Sequence, residues 1–308
     1  YEQVKSGNEL AKKWCPRFNT SKEDKAKKLA KLWHMTEREY RKFIKCPSTT
    51  EYKLSNNELD KIIFEQVPSL AMIKYFRTFS RKLPEEFSKY IESVKKGDKK
   101  LNISTTNVYD IYKARNELDA QMFFDKLDKI KISCIPVLDT SGSMQDNNDS
   151  IGKATSIAHY LSKCSSYCPN QVITFSSYSQ LITMGLDREP VNYQDGFKRN
   201  YNASDYINEI NSLYTGDCSN TDFGKVMNLL SNLNKELPEY LVVLSDMEFD
   251  YGSNTSKEAT MKLFKEKGYK TRIIWWNFNS RNTTCPEMDK DGNIFISGYN
   301  PFLLKYLE

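Results

Sequence analysis

The chain has 308 residues, 39% hydrophobic and 28% charged, a composition that fits a water-soluble globular protein and excludes a membrane or disordered one. Its length suggests about two domains, and no apolar stretch approaches the roughly 18 residues needed to cross a bilayer. Seven cysteines without framework spacing point to reduced thiols in an intracellular, cytoplasmic setting. The net charge of +5 conceals an asymmetry: residues 1–131 carry 29 Lys and Arg against 19 Asp and Glu, and residues 132–308 carry 16 against 21. A basic first half invites a polyanion and an acidic second half suits a cation, although Lys-rich helices are also commonly just solvated faces. The sequence opens on Tyr1, as expected of a trimmed chain or one that starts inside a longer product, and no signal peptide is evident.

The first 130 residues lack strand patterning and are expected to form an all-α region. Asn8 to Trp14 is a short helical pattern closed by Cys15-Pro16. Ser21 caps a helix running to about Trp33, and Thr36-Glu37-Arg38-Glu39 has the order of a capping box. Prolines at 68 and 84 sit where helices begin, and Gly97 where one ends. These short helices suggest a stacked, HEAT-like array without an exact repeat. Leu101 to Asn107 reads as loop, and Val108 to Lys129 as one or two helices.

From residue 131 strands and helices alternate. Strands are expected at 132–138, 171–175, 180–183, 240–246, 271–276 and 293–296, with helices at 150–163, after Asp205, after Thr221 and at 256–267. That alternation implies a mostly parallel α/β sheet with helices on both faces, whose ligands bind beyond the carboxyl ends of the strands. Asp139-Thr140-Ser141-Gly142-Ser143 stands at such an end. Asp139, Ser141 and Ser143 offer three oxygens from one loop, a donor set suited to Mg²⁺, which takes few protein carboxylates and keeps open or water-filled positions. Asp and Ser in strand-to-helix loops also serve as plain helix caps. Cys164 and Cys168 form a close pair, but no second Cys/His pair stands at zinc spacing.

Asp-x-Ser-x-Ser at a strand end resembles the metal-ion-dependent adhesion site (MIDAS) of the von Willebrand factor A (vWA) fold, a Rossmann-like sheet. Ser219-Asn220-Thr221-Asp222 resembles that family's Thr-Asp loop, and the strand Tyr240 to Ser245 followed by Asp246 resembles its third loop. The resemblance implies a metal set of Asp139, Ser141, Ser143, Thr221 and Asp246, with Asp222 behind it. Ser141, Ser143 and Thr221 would bind Mg²⁺ (or Mn²⁺ or Ca²⁺) directly or through water, and the two aspartates directly or as anchors. One departure is that the loop before Thr221 reads Gly216-Asp217-Cys218-Ser219-Asn220, where many members have glycines.

Leu10-Ala11-Lys12-Lys13-Trp14-Cys15-Pro16-Arg17, Arg38-Glu39-Tyr40-Arg41-Lys42, Val67 to Tyr75, Ser245 to Asp250 and Ile274-Trp275-Trp276-Asn277 are similar to an uncharacterised family of plants, fungi and large DNA viruses. Its members join a helical region, here 1–130, to a C-terminal vWA domain, here 131–308. A more distant resemblance is to the TROVE proteins, the Ro ribonucleoproteins, in which a ring of helical repeats binds RNA. That resemblance implies structured or single-stranded RNA as a partner. The nominated contacts are Lys27, Lys28 and Lys31 in the Lys22–Lys31 cluster, Arg77, Arg81 and Lys82, and Lys95 and Lys96 in the Lys95–Lys100 cluster. Tyr75 and Phe76 either stack bases or pack in the core. The N-terminal half is shorter than a full Ro ring, so either repeats lie upstream of Tyr1 or several chains assemble. The alternative is a protein-interaction module in which the metal grips a partner's acidic residue. Catalysis is not expected: neither histidine lies in a metal-site loop, and Glu248 is the one nearby general-base candidate.

Overall fold

The computed structural model describes residues 1–185, 205–214, 221–232, 236–248, 257–279 and 286–307. The expected positions 216–220, Leu233, Phe249, Asp250 and Ser256 lie outside them. The chain divides into two compact units, Tyr1–Asn102 and Ile103–Glu308.

The first unit is helical: α1 (Glu2–Lys5), α2 (Glu9–Trp14), α3 (Glu23–Leu32), α4 (Glu37–Phe43), α5 (Thr50–Ser55), α6 (Ser69–Lys82) and α7 (Pro84–Lys96), with single 3₁₀ turns at Leu59–Lys61 and Phe64–Gln66. Their ends follow local chemistry. Asn8 caps α2, and Thr36 and Glu39 form the reciprocal capping box of α4. Gly97 closes α7 with φ +87°, a left-handed conformation that costs glycine nothing. Tyr40 is fully buried among Phe18, Ala26, Ala30 and Ile44. Phe64, Phe79, Phe87 and Tyr90 hold α6 and α7 together through ring contacts at 5.1 to 6.3 Å.

The second unit contains α8 (Val108–Ala114), α9 (Ala120–Asp125), β1 (Cys134–Asp139), α10 (Ser150–Cys164), β2 (Gln171–Phe175), β3 (Ser179–Thr183), α11 (Asp205–Ser212), α12 (Phe223–Asn232), β4 (Tyr240–Ser245), α13 (Lys257–Glu266), β5 (Arg272–Asn277), β6 (Glu287–Met288) and β7 (Ile294–Ser297). The sheet order is β3-β2-β1-β4-β5-β7-β6. Its inner pairs are parallel, while β3 and β6 are antiparallel to their neighbours. Residues of one parity, including Ile135, Val137, Ile173, Leu241, Val243 and Trp275, pack against Phe223, Val226 and Leu230 of α12 and Phe264 of α13. The alternate residues Leu138, Val172, Val242, Leu244 and Trp276 are buried too, and α10 packs across β1, β2 and β4. Each such side chain contributes about 1.5–3 kcal/mol on burial.

Pro136 stands in the middle of central strand β1 and has no N–H to donate. Backbone groups of the same parity face β2: Ile132 O accepts from Ser166 N, Cys134 O from Ser165 Oγ and Cys168 Sγ, and Thr140 N donates to Phe175 O. The β1–β2 ladder begins at the Val137↔Ile173 pair, one residue past the proline, so the missing donor breaks no rung.

The division at 102/103 falls ahead of the 130/131 boundary read from the sequence. Helices α8 and α9 are helical as expected, but they pack with the sheet-bearing unit, α8 against α10 and α9 against α11. Gly152 explains the closeness of α8 and α10. A Cβ there would stand 2.5 Å from the Tyr112 ring, so only glycine allows the approach.

Candidate metal centre

Parallel strands β1 and β4 bring two carboxylates to one edge of the sheet. Leu138 pairs with Leu244, so Asp139 lies beside Ser245 and Asp246 follows directly. Asp139 is fully buried, and both its oxygens accept hydrogen bonds: Oδ1 from Ser141 N at 2.9 Å and Oδ2 from Ser245 Oγ at 2.6 Å. Burial pushes its carboxyl up to about 6, the hydrogen bonds from Ser245 and Ser141 oppose the rise, and the charge of Asp246 adds to it. Asp139 is therefore an anchor that shapes its own loop. Ser141 is buried and Ser143 exposed, with their hydroxyls 3.1 Å apart across a 3₁₀ turn, Gly142–Met144, that the buried Met144 pins.

Asp246 is 4% exposed. Its Oδ1 accepts from Glu248 N at 3.1 Å, and its Oδ2 has no hydrogen-bond partner among the described residues. A buried carboxylate oxygen without a donor costs on the order of 1–3 kcal/mol, unless a cation stands before it.

Thr221 is buried and joins the others through the end of β2. Thr140 N donates to Phe175 O and Asp222 N to Ser176 O, both at 2.9 Å. The first and second loops thus hang on consecutive carbonyls. Asp222 is half-buried beside this anchor. The predicted positions Asp139, Ser141, Ser143, Thr221, Asp222 and Asp246 accordingly lie on neighbouring loops at the carboxyl end of the sheet. Sequence reasoning did not assign Ser245, Thr140 or Ser176, whose contributions are hydrogen bonds fixed by strand register. Their signal is weak, since a serine beside Asp246 carries no pattern until β1 and β4 are paired.

The donor set is two carboxylates and three hydroxyls, an all-oxygen environment that fits a hard divalent cation. No cluster of three or more His, Cys, Asp or Glu with metal-binding placement occurs among the described residues. Cys164 and Cys168 are not bonded to each other, and Cys168 Sγ donates to Cys134 O at 3.4 Å. His159 is buried on α10, with Nε2 2.7 Å from Glu209 Oε2. Glu248 is exposed, its Oε1 3.5 Å from Asn279 Nδ2.

The nominated cations of the helical unit are all exposed: Lys27, Lys28 and Lys31 on α3, Arg77, Arg81 and Lys82 on α6, and Lys95 and Lys96 on α7. Lys27 pairs with Glu23 at 2.8 Å. Tyr75 and Phe76 are half-buried, with rings against Phe79 and Phe87, which favours packing over base stacking.

A sheet with a parallel centre and an antiparallel strand at each edge, helices on both faces and an Asp-x-Ser-x-Ser loop at its carboxyl end defines an α/β domain of the vWA type. The chain belongs to the family described as domain of unknown function DUF7788, whose model matches residues 133–308, and residues 7–133 match that of domain of unknown function DUF2828. Uncharacterized protein L728 of Acanthamoeba polyphaga mimivirus is 24% identical over 96% of this chain, which spans 57% of that protein's length. Among solved structures, the Ro protein of Deinococcus radiodurans is similar at 11% identity and a TM-score of 0.45, covering 78% of this chain and 54% of that one. Proximal thread matrix protein 1 of the mussel byssus, solved with a zinc-occupied MIDAS motif, is similar at 14% identity and a TM-score of 0.34, covering 58% and 47%. No helix among the described residues is long and apolar enough to cross a membrane.

Proposed function

We propose that the sheet-bearing unit is a non-enzymatic, divalent-cation-dependent binding module. The observation that carries this reading is the buried Asp246 Oδ2, which has no hydrogen-bond donor among the described residues, beside the buried Asp139. Ser141, Ser143, Thr221 and Asp246 would hold Mg²⁺, or Mn²⁺ or Ca²⁺ in its place, with Asp139 and Asp222 orienting the loops. The cation would supply a positive charge at an open position, suited to an oxyanion such as a carboxylate of a partner protein. Two features support binding over hydrolysis, which needs a positioned base. His159 is committed to Glu209, and Glu248 points to an exposed asparagine. Calorimetric titration with Mg²⁺ and Mn²⁺ tests the reading: the wild type is expected to bind one cation and Asp246→Ala none. Equal heats from both proteins would sink it.

The exposed cations on α3, α6 and α7 favour a second reading, an RNA-binding component of a ribonucleoprotein. Its test is nucleic acid that copurifies, seen as absorbance at 260 nm and released by salt. A preparation free of nucleic acid at low salt argues against it.

A further inference from the structure

A cation-lined cavity lies in the helical unit, among none of the residues nominated so far. On α4 and the turn that closes it, Arg38, Arg41, Lys42 and Lys45 stand at i, i+3, i+4 and i+7, opposite the buried Tyr40 and Ile44. Like charges at these spacings each cost about 0.2–0.5 kcal/mol in a helix. On α3 such spacing is relieved by the Glu23–Lys27 pair. On α4 only Arg41 has an acid, Glu37, while Arg38, Lys42 and Lys45 form no ion pair among the described residues.

The surface beside this stripe is concave. A cavity of about 610 Å³ has Lys13, Arg17, Arg41, Lys45, Tyr52 and Glu51 in its lining. A second, of about 630 Å³, shares Arg41 and Lys45 with it and adds Arg38, Lys42 and the carboxylate Glu37. Both volumes are typical of small-ligand sites. Two guanidinium groups are already fixed. Arg41 lies over the Phe18 ring at 5.1 Å, with Nε and Nη2 both held by Glu37 Oε1 at 2.7 and 2.6 Å. Arg17 Nη2 leans on Cys46 Sγ at 4.0 Å. Glu37 occupies one edge of the Arg41 guanidinium and leaves its Nη1 for a ligand; guanidinium groups beside flexible ammonium groups suit phosphate oxygens, which Arg engages in pairs and Lys as point charges.

We propose that these joined cavities bind a ligand bearing several phosphates in series. Charge balance selects it: across the two cavities six cations, Lys13, Arg17, Arg38, Arg41, Lys42 and Lys45, face two carboxylates, Glu51 and Glu37, an excess that a single carboxylate ligand leaves unmet. The sharing of Arg41 and Lys45 favours an extended anion that continues from one cavity into the other. A free polyphosphate and a nucleic-acid strand present the same chemistry.

The experiment is calorimetry on the full chain in EDTA at low salt, so that the candidate cation site takes no part. The probes are inorganic tripolyphosphate, ATP and a short oligouridylate. Lys13→Gln/Lys45→Gln is expected to weaken binding about tenfold or more, because both lysines line the first cavity, are exposed and form no ion pair among the described residues. Lys290→Gln/Lys305→Gln, which removes equal charge at exposed positions outside both cavities, is expected to change it less than about twofold. Arg17→Lys keeps the charge but loses the fork, and is expected to fall between the two. Oligouridylate binding far tighter than tripolyphosphate, with the same loss in the lysine variant, identifies a strand as the source. Equal affinity for all three identifies the phosphate chain itself. Absence of binding by every probe, or equal losses in the two double variants, overturns the proposal.

Discussion

Asp246 and Asp139 are buried carboxylates with opposite fates. Asp139 has both oxygens satisfied, whereas one oxygen of Asp246 has no partner among the described residues. Asp246→Asn retains the oxygen that accepts from Glu248 N and removes a buried charge that faces Asp139. In EDTA this variant is expected to be more stable than wild type by about 1 kcal/mol. It is also expected to lose the added stability that wild type gains from cation, about 2.7 kcal/mol at a hundredfold excess over Kd. Urea melts with and without Mg²⁺ measure both, and a destabilised variant in EDTA would contradict the account. The pH dependence follows from Asp139. Its carboxyl is raised from 3.8 to about 6, so between those values the folded protein holds a proton that the unfolded chain releases. In EDTA the contribution of this group to stability therefore declines as pH rises through that window, by on the order of 3 kcal/mol. Cation binding needs the carboxylate form, so affinity is expected to fall as pH drops below about 6. Titrations at three pH values read it directly. The aspartates and hydroxyls were legible as residues because their types and order are local in the sequence. Ser245 was not, because its bond to Asp139 Oδ2 joins residues on strands that only folding makes neighbours.

Most capped elements were legible, and those stabilised by tertiary pairing were not; the expected Ser21 cap is an exception, since α3 begins after Lys22 with no side-chain cap bond. The Thr36–Glu39 box, the proline starts of α6 and α7 and the Gly97 stop lie close to where the sequence places them. The short α5, Thr-Glu-Tyr-Lys-Leu-Ser, has too few apolar residues for a period. The two-residue β6 exists only through its pairing with β7. The approach of α8 to α10 is another case, since it depends on the absence of a side chain at one position. Gly152→Ala places a methyl group against Tyr112 and Asp149, and is expected to destabilise the protein by about 1–3 kcal/mol. Chemical denaturation checks this. An unchanged midpoint would mean that α8 gives way without cost.

At the scale of the molecule, the helical unit is basic and the sheet-bearing unit carries the acidic candidate site. Their binding chemistries are expected to be separable. Chelation should abolish oxyanion binding at the sheet edge and leave polyphosphate binding intact. Raising the salt should weaken the second steeply, by the release of counterions, and the first much less. Parallel titrations in EDTA and in high salt make the comparison, and loss of both activities under either condition would show a single shared site. Charge asymmetry is visible in composition, and the 130/131 boundary read from the sequence lies close to residue 133, where the two family matches meet, while the packing of the chain divides at 102/103. Helices α8 and α9 resemble their predecessors in pattern, and only packing assigns them to the sheet.

The anchoring of Thr221 ties its loop to the end of β2. Thr221 is held from downstream, by Asp222 N on Ser176 O and by Ser179 Oγ on Lys225 O. Thr140 N on Phe175 O holds the first loop to the preceding carbonyl of the same strand end. A shift of that end would therefore move the candidate donors of both loops together, so their spacing is set by two adjacent peptide units.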